Sequence, residues 1–201
     1  MSVNTQAPSG SISDGVRPAA DASLRATTAA ECWETNVRYW KELVEDPRWA
    51  DVPYQIETNR WGEMVMHPPP LPYHQTREKA VERTLERLLG DETHRGLGLS
   101  TADGVKQLDA CWVSPERFAT YDLNLPLPIA PEICVEILSP SNRPGAMRHK
   151  RVLYFDAGAT ECWECDLEAR MHFYTDPARP DEASKRSTLC PEFPRSVRSD
   201  A

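Results

Sequence analysis

Two segments of this chain set a single carboxylate inside an otherwise apolar strand: Asp109 in VKQLDACWV and Glu136 in ICVEILSP. No other feature restricts the fold as tightly. In the second segment Ile133, Val135 and Ile137 face one way, while Cys134, Glu136 and Leu138 face the other. A buried carboxylate without a partner is expensive, so each acid requires a counter-charge, a metal or a cleft. Two such acids on neighbouring strands offer oxygen ligands of the kind Mg²⁺ prefers, one or two carboxylates completed by substrate phosphate. The bland alternative is a pair of structural acids satisfied by local hydrogen bonds.

The segment SNRPGAMRHKRVLYFDAG follows directly and gathers Arg143, Arg148, His149, Lys150 and Arg151. Lys150 and Tyr154 are four apart and share one helix face. A lysine beside two metal-binding acids can orient a water or stabilise the charge of a pentavalent phosphate. The competing reading of the cluster is a solvated helix face.

Periodicity places these residues. Thr28 and Glu31 have the spacing of a capping box, and Trp33, Val37, Trp40 and Val44 then fall on one stripe, which predicts a helix ending before Pro47. YQIETNRWGEMVMHPPP reads as two strands turning around Asn59, the second running from Trp61 until Pro68–Pro70 stop it. Residues 74–89 form a helix with Val81, Leu85, Leu88 and Leu89 on its apolar face and Gly90 just past its end; His74 and Glu78 extend the stripe. Strands are expected at 97–101, 105–113 and 132–138, a proline-bearing loop at 121–131, and a helix at 146–157. A hairpin in ECWECDLEARMHFY turns at Leu167–Ala169. The six tryptophans mostly sit on periodic faces and read as core. The sum is an α+β (mixed α/β) domain over 27–176. Residues 1–26 and 177–201 have the composition of disordered tails, although Leu189 and Phe193 could dock on the core.

Six cysteines in a chain of 201 residues, 40% of them hydrophobic, read as reduced thiols, since a chain of this length builds a core without disulfides. Cys162 and Cys165 have CxxC spacing, but on a strand they face opposite sides, and no second pair completes the four ligands of structural zinc. No apolar run reaches the roughly 18 residues of a membrane span, and the N-terminus carries no apolar signal core; a cytoplasmic location is expected. Net charge is −8; residues 1–26 are balanced and 177–201 carry one net positive charge, leaving −9 on the section between. That argues against a protein holding nucleic acid mainly by phosphate neutralisation, but not against an enzyme that meets DNA through a metal and a local basic patch.

The run EILSPSNRPG, then KRVLYFDAG and ECWECD, together with the upstream GEMVMHPPPLPYH, resembles the Uma2 family of restriction-type endonucleases in the PD-(D/E)XK nuclease superfamily, over roughly residues 54–174. The resemblance implies a restriction-endonuclease-like core, a central mixed sheet flanked by helices. It also implies that Asp109 and Glu136 are the two acids of the motif and hold Mg²⁺ or Mn²⁺. Lys150 then stands in for a lysine displaced from the strand, where this chain has Leu138. Glu63 and His74 match further polar positions near the cleft, and Ser139 and Tyr154 support it. Two departures stand out: Leu108 in place of a proline, and Ala146 where the family often has an acid. The implied activity is metal-dependent hydrolysis of DNA by a homodimer; the rivals are an inactive nuclease-like fold that binds DNA, and a protein-interaction domain with an acidic surface.

Overall fold

The computed structural model describes residues 29–49, 55–90 and 92–197; the expected N-terminal tail and the Thr28 cap fall outside them. Helix α1 spans Ala29–Val44, and the hairpin strands β1 (Gln55–Thr58) and β2 (Met64–His67) pair antiparallel. Helix α2, Pro72–Leu89, starts with Pro72 in its first turn, where the missing N–H costs nothing, and buries His74, Glu78, Val81 and Leu85 along one stripe. The polar half of that stripe proves decisive for the site.

Strands β3 (Thr93–His94), β6 (Ala110–Trp112), β7 (Ile133–Ile137), β8 (Glu161–Cys165) and β9 (Met171–Tyr174) form a five-stranded mixed sheet in the order β3-β6-β7-β8-β9. Only β7 and β8 run parallel, and helix α4, Pro144–Asp156, makes the crossover that parallel neighbours need. Strands β4 (Gly98–Thr101) and β5 (Gly104–Gln107) form a separate hairpin, and a single turn of helix, α3, covers Pro115–Phe118.

The continuous strand expected over 105–113 is broken at Leu108 and Asp109, because the chain changes partners there: β5 pairs with β4, β6 with β7. Leu108 is 1% exposed and donates its N–H to Leu97 O at 3.0 Å, while the Asp109 carboxylate reaches across to β7. The second hairpin strand likewise starts later than expected, at Met64, leaving Trp61–Glu63 in the turn. Neither β3 nor α3 was foreseen; four residues or fewer carry too little periodicity to read.

Two apolar layers sandwich the sheet. Ile133, Val135, Ile137, Trp163 and Cys165 pack with Val81 and Leu85 of α2 on one side, whereas Cys134, Cys162 and Tyr174 pack with Leu153 and Tyr154 of α4 on the other. Cys162 and Cys165 thus sit in opposite layers, as the strand period requires. The segment expected as a C-terminal tail belongs to the core instead. Cys190, Phe193 and Val197 are each at most 5% exposed, and the Phe193 ring lies 4.7 Å from that of Trp163. Its anchor is the fully buried Glu161, whose carboxylate accepts the Thr188 and Leu189 N–H groups at 2.7 and 2.9 Å. Composition concealed this docking, since it rests on backbone donors and three scattered apolar residues. Leu189 itself stays at the surface. Among the described residues no helix is long and apolar enough to cross a membrane.

Candidate active site

Glu136, the penultimate residue of β7, is 7% exposed and faces α4. Tyr154 donates its hydroxyl to Oε1 at 2.5 Å, and Lys150, one helical turn earlier, donates Nζ to Oε2 at 3.0 Å. The i, i+4 spacing therefore delivers an amine and a phenol to one carboxylate. A second acid, Glu57 of β1, approaches the same amine, with Oε1 3.2 Å from Lys150 Nζ. Glu57 also accepts the Gln107 N–H at 3.2 Å and lies 3.3 Å from His67 Nε2.

Asp109 occupies the break between β5 and β6. Its Oδ2 accepts the Ile137 N–H at 2.7 Å, which fixes the carboxylate beside the residue that follows Glu136, and it meets His74 Nε2 at 3.3 Å. The other ring nitrogen of His74 lies 3.2 Å from Glu78 Oε1. That approach is out of line for a hydrogen bond, so it acts as a charge contact rather than a directed one. Ligand atoms of His74, Glu78 and Asp109 all lie within 4.8 Å of one another.

Burial and charge work against each other throughout. Burial pushes Glu136 up and Lys150 pulls it down, but Asp109 and Glu57 push it further, to about 7. Burial raises Glu57 as well; there His67 and Lys150, with Lys106 behind them, outweigh it and bring the carboxyl down to about 2. Two acids touching one lysine thus part company because Glu57 has further cations and Glu136 has further acids. Burial would strip the proton from Lys150, yet Glu136, Glu57 and Asp109 hold it there, above the usual lysine range. Against burial, Asp109 and Glu78 raise His74 to about 10, so the ring is an imidazolium at neutral pH.

Asp109, Glu136, Lys150 and His74 of the expected residues converge here. Glu63 does not join them: it is exposed in the β1–β2 turn, where its carboxylate accepts Asn59 Nδ2 at 2.8 Å. Its place is taken by Glu57, which the sequence reading passed over because Gln55, Thr58 and Asn59 make it look like one polar residue among several. The signal was an acid on a strand, the same one that singled out Asp109 and Glu136. Three other bases of the cluster go elsewhere: Arg151 to Glu164 on the next strand, Arg148 to Asp181, and His149 to Asp103. Ser139 braces the turn into α4 through bonds to Asn142.

A sequence profile of the Uma2 family, described as "Putative restriction endonuclease", matches residues 40–197. Among solved structures, the chain is similar to one described as "a putative nuclease belonging to DUF820" from Anabaena variabilis ATCC 29413. The TM-score is 0.54 at 17% identity, covering 71% of this chain and 87% of the other. At that identity the likeness speaks for the fold. No curated protein matches the chain.

Proposed function

Because the chain belongs to the Uma2 family of restriction-type endonucleases, we propose that it hydrolyses DNA phosphodiester bonds with Asp109, Glu136, Glu57 and Lys150 as its working side chains. The observation that carries the reading is one half-buried lysine held between two buried carboxylates, Glu136 at 3.0 Å and Glu57 at 3.2 Å, with Asp109 beside them. The donor set fits Mg²⁺ or Mn²⁺: it consists of hard carboxylate oxygens, and Glu136, pushed up to about 7 first by burial and then by the acids beside it, is a carboxylate that an added cation would relieve. Asp109 and Glu136 would hold the ion. When bound, such an ion polarises the phosphoryl oxygens and makes water a nucleophile near neutral pH.

The chain's own groups do the rest. Lys150, a cation throughout the physiological range, stabilises the charge that develops on the phosphate and directs the attacking water. Tyr154 fixes one Glu136 oxygen, leaving the carboxylate a single orientation. His74 meets the same Asp109 oxygen that accepts the Ile137 N–H, so it is a positioning residue. A symmetric pair of chains would let both strands be cut.

Mg²⁺ is expected to support nicking of supercoiled plasmid, and Asp109→Asn or Glu136→Gln to abolish it while the fold is retained by circular dichroism. Wild-type inactivity across divalent metals would sink the hydrolase. The −9 charge of the central section favours one second reading, a protein-interaction domain with an acidic surface, and absence of both metal and DNA binding would identify it.

A further inference from the structure

We propose that the tip of the β1–β2 hairpin grips one strand of nucleic acid beside the active site, Trp61 stacking on an unpaired base and Arg60 meeting the backbone phosphate; this rests on the nuclease reading and names where its substrate strand runs. Sequence periodicity had assigned Trp61 to the core, but it is 58% exposed. A single exposed apolar side chain is ordinary. This one differs because the turn beneath it is built to present it. Asn59 Oδ1 accepts the N–H groups of both Trp61 and Glu63, at 3.0 and 2.9 Å, and Glu63 closes the loop through Asn59 Nδ2. Gly62 adopts φ 74°, and a Cβ there would fall 2.7 Å from the Tyr39 ring of α1. The indole is thus displayed on a turn pinned to a helix.

A fixed, exposed aromatic face is what base stacking uses, because every base has a π-face. Beside it stands a cation: Arg60 Cζ lies 5.4 Å from the centre of the Trp61 ring. The Arg60 side chain is 52% exposed, with Nε bonded to Asp103 Oδ1 at 2.9 Å. The other Asp103 oxygen lies 3.4 Å from His149 Nε2 and 3.6 Å from Lys106 Nζ. Asp103 therefore gathers three basic side chains at one spot on an acidic molecule, and one of them, His149, precedes Lys150 on α4. Trp61 is four residues beyond Glu57, so its Cα lies at most ~14 Å from that of the residue that meets Lys150. That is about four nucleotide rises of ~3.4 Å. A strand crossing the Glu57–Lys150 pair would need about that many nucleotides to meet the indole.

The test is anisotropy titration of a labelled single-stranded oligonucleotide with the full chain in EDTA, where cleavage is silent, alongside plasmid nicking in Mg²⁺. Trp61→Ala is expected to weaken binding roughly tenfold, and Trp61→Phe to keep most of the affinity. Arg60→Gln should lower the slope of log affinity against log salt by about 0.7. Equal affinity of wild type and Trp61→Ala, or no binding by either, overturns the proposal, and a surface meant for a protein partner would give the first result. Trp61-dependent binding without nicking would remove the nuclease and leave the strand contact standing. Nicking with Trp61→Ala binding at wild-type strength would do the reverse.

Discussion

Glu136 shows how much one residue can cost and what it returns. Its carboxyl is shifted from an ordinary 4.5 to about 7, burial being the first cause and the neighbouring acids adding to it. A folded-state pKa above the unfolded one means that the protonated form favours folding. This contribution is complete below pH 4.5 and is lost as the pH rises through 7. Glu136→Gln has no proton to lose. The melting temperature of the variant relative to wild type is therefore expected to improve between pH 5 and pH 8, by the equivalent of about 3 kcal/mol; a gap that does not move with pH would refute the account. His74, raised from 6.5 to about 10, adds stability that is complete below pH 6.5 and is lost progressively as the pH rises from there through 10. The destabilised carboxylate is the one that a divalent cation would relieve, so the stability cost and the proposed chemistry have one origin.

At the scale of elements, the site depends on how β1 lies along β5. Thr58 Oγ1 accepts the Val105 N–H at 2.9 Å, Lys106 Nζ donates to Thr58 O at 2.9 Å, and Glu57 accepts the Gln107 N–H. Side chains thus do here what a ladder of backbone bonds does inside a sheet. The close approach is possible because residue 104 is glycine: it has φ 85°, and a Cβ there would collide with the Thr58 carbonyl. Gly104→Ala is expected to cost at least ~2 kcal/mol and to push β1, and Glu57 with it, away from Lys150. Chemical denaturation should report the first effect and a fall in nicking the second. Unchanged values for both would show that β1 is held by something else. Sequence reading found both strands of this hairpin but not the contact with β5, because the side-chain bonds that make it have no period.

For the whole molecule, the segment after β9 closes one face of the sheet. Phe193 packs on Trp163 and on Phe173, with ring centroids 4.7 and 6.3 Å away, and Phe193→Ala is expected to cost about 3–5 kcal/mol, measured as a lower denaturation midpoint. A change below 1 kcal/mol would return the segment to the status of a tail.

By itself, the sequence determined the elements and the chemistry each could bring. Hydrophobic period fixed α1, α2, α4 and the strands around Glu136 and Cys162, and two acids in apolar strands with a lysine one turn from a tyrosine marked the candidate site. Those are local properties, written in spacing. Tertiary structure alone decided which acid meets the lysine, preferring Glu57 to Glu63, and turned Trp61 outward on its turn. It also drew Cys190, Phe193 and Val197 into the core. Each of these depends on where a strand starts or which distant backbone group is left unpaired, and those quantities exist only once the segments have met.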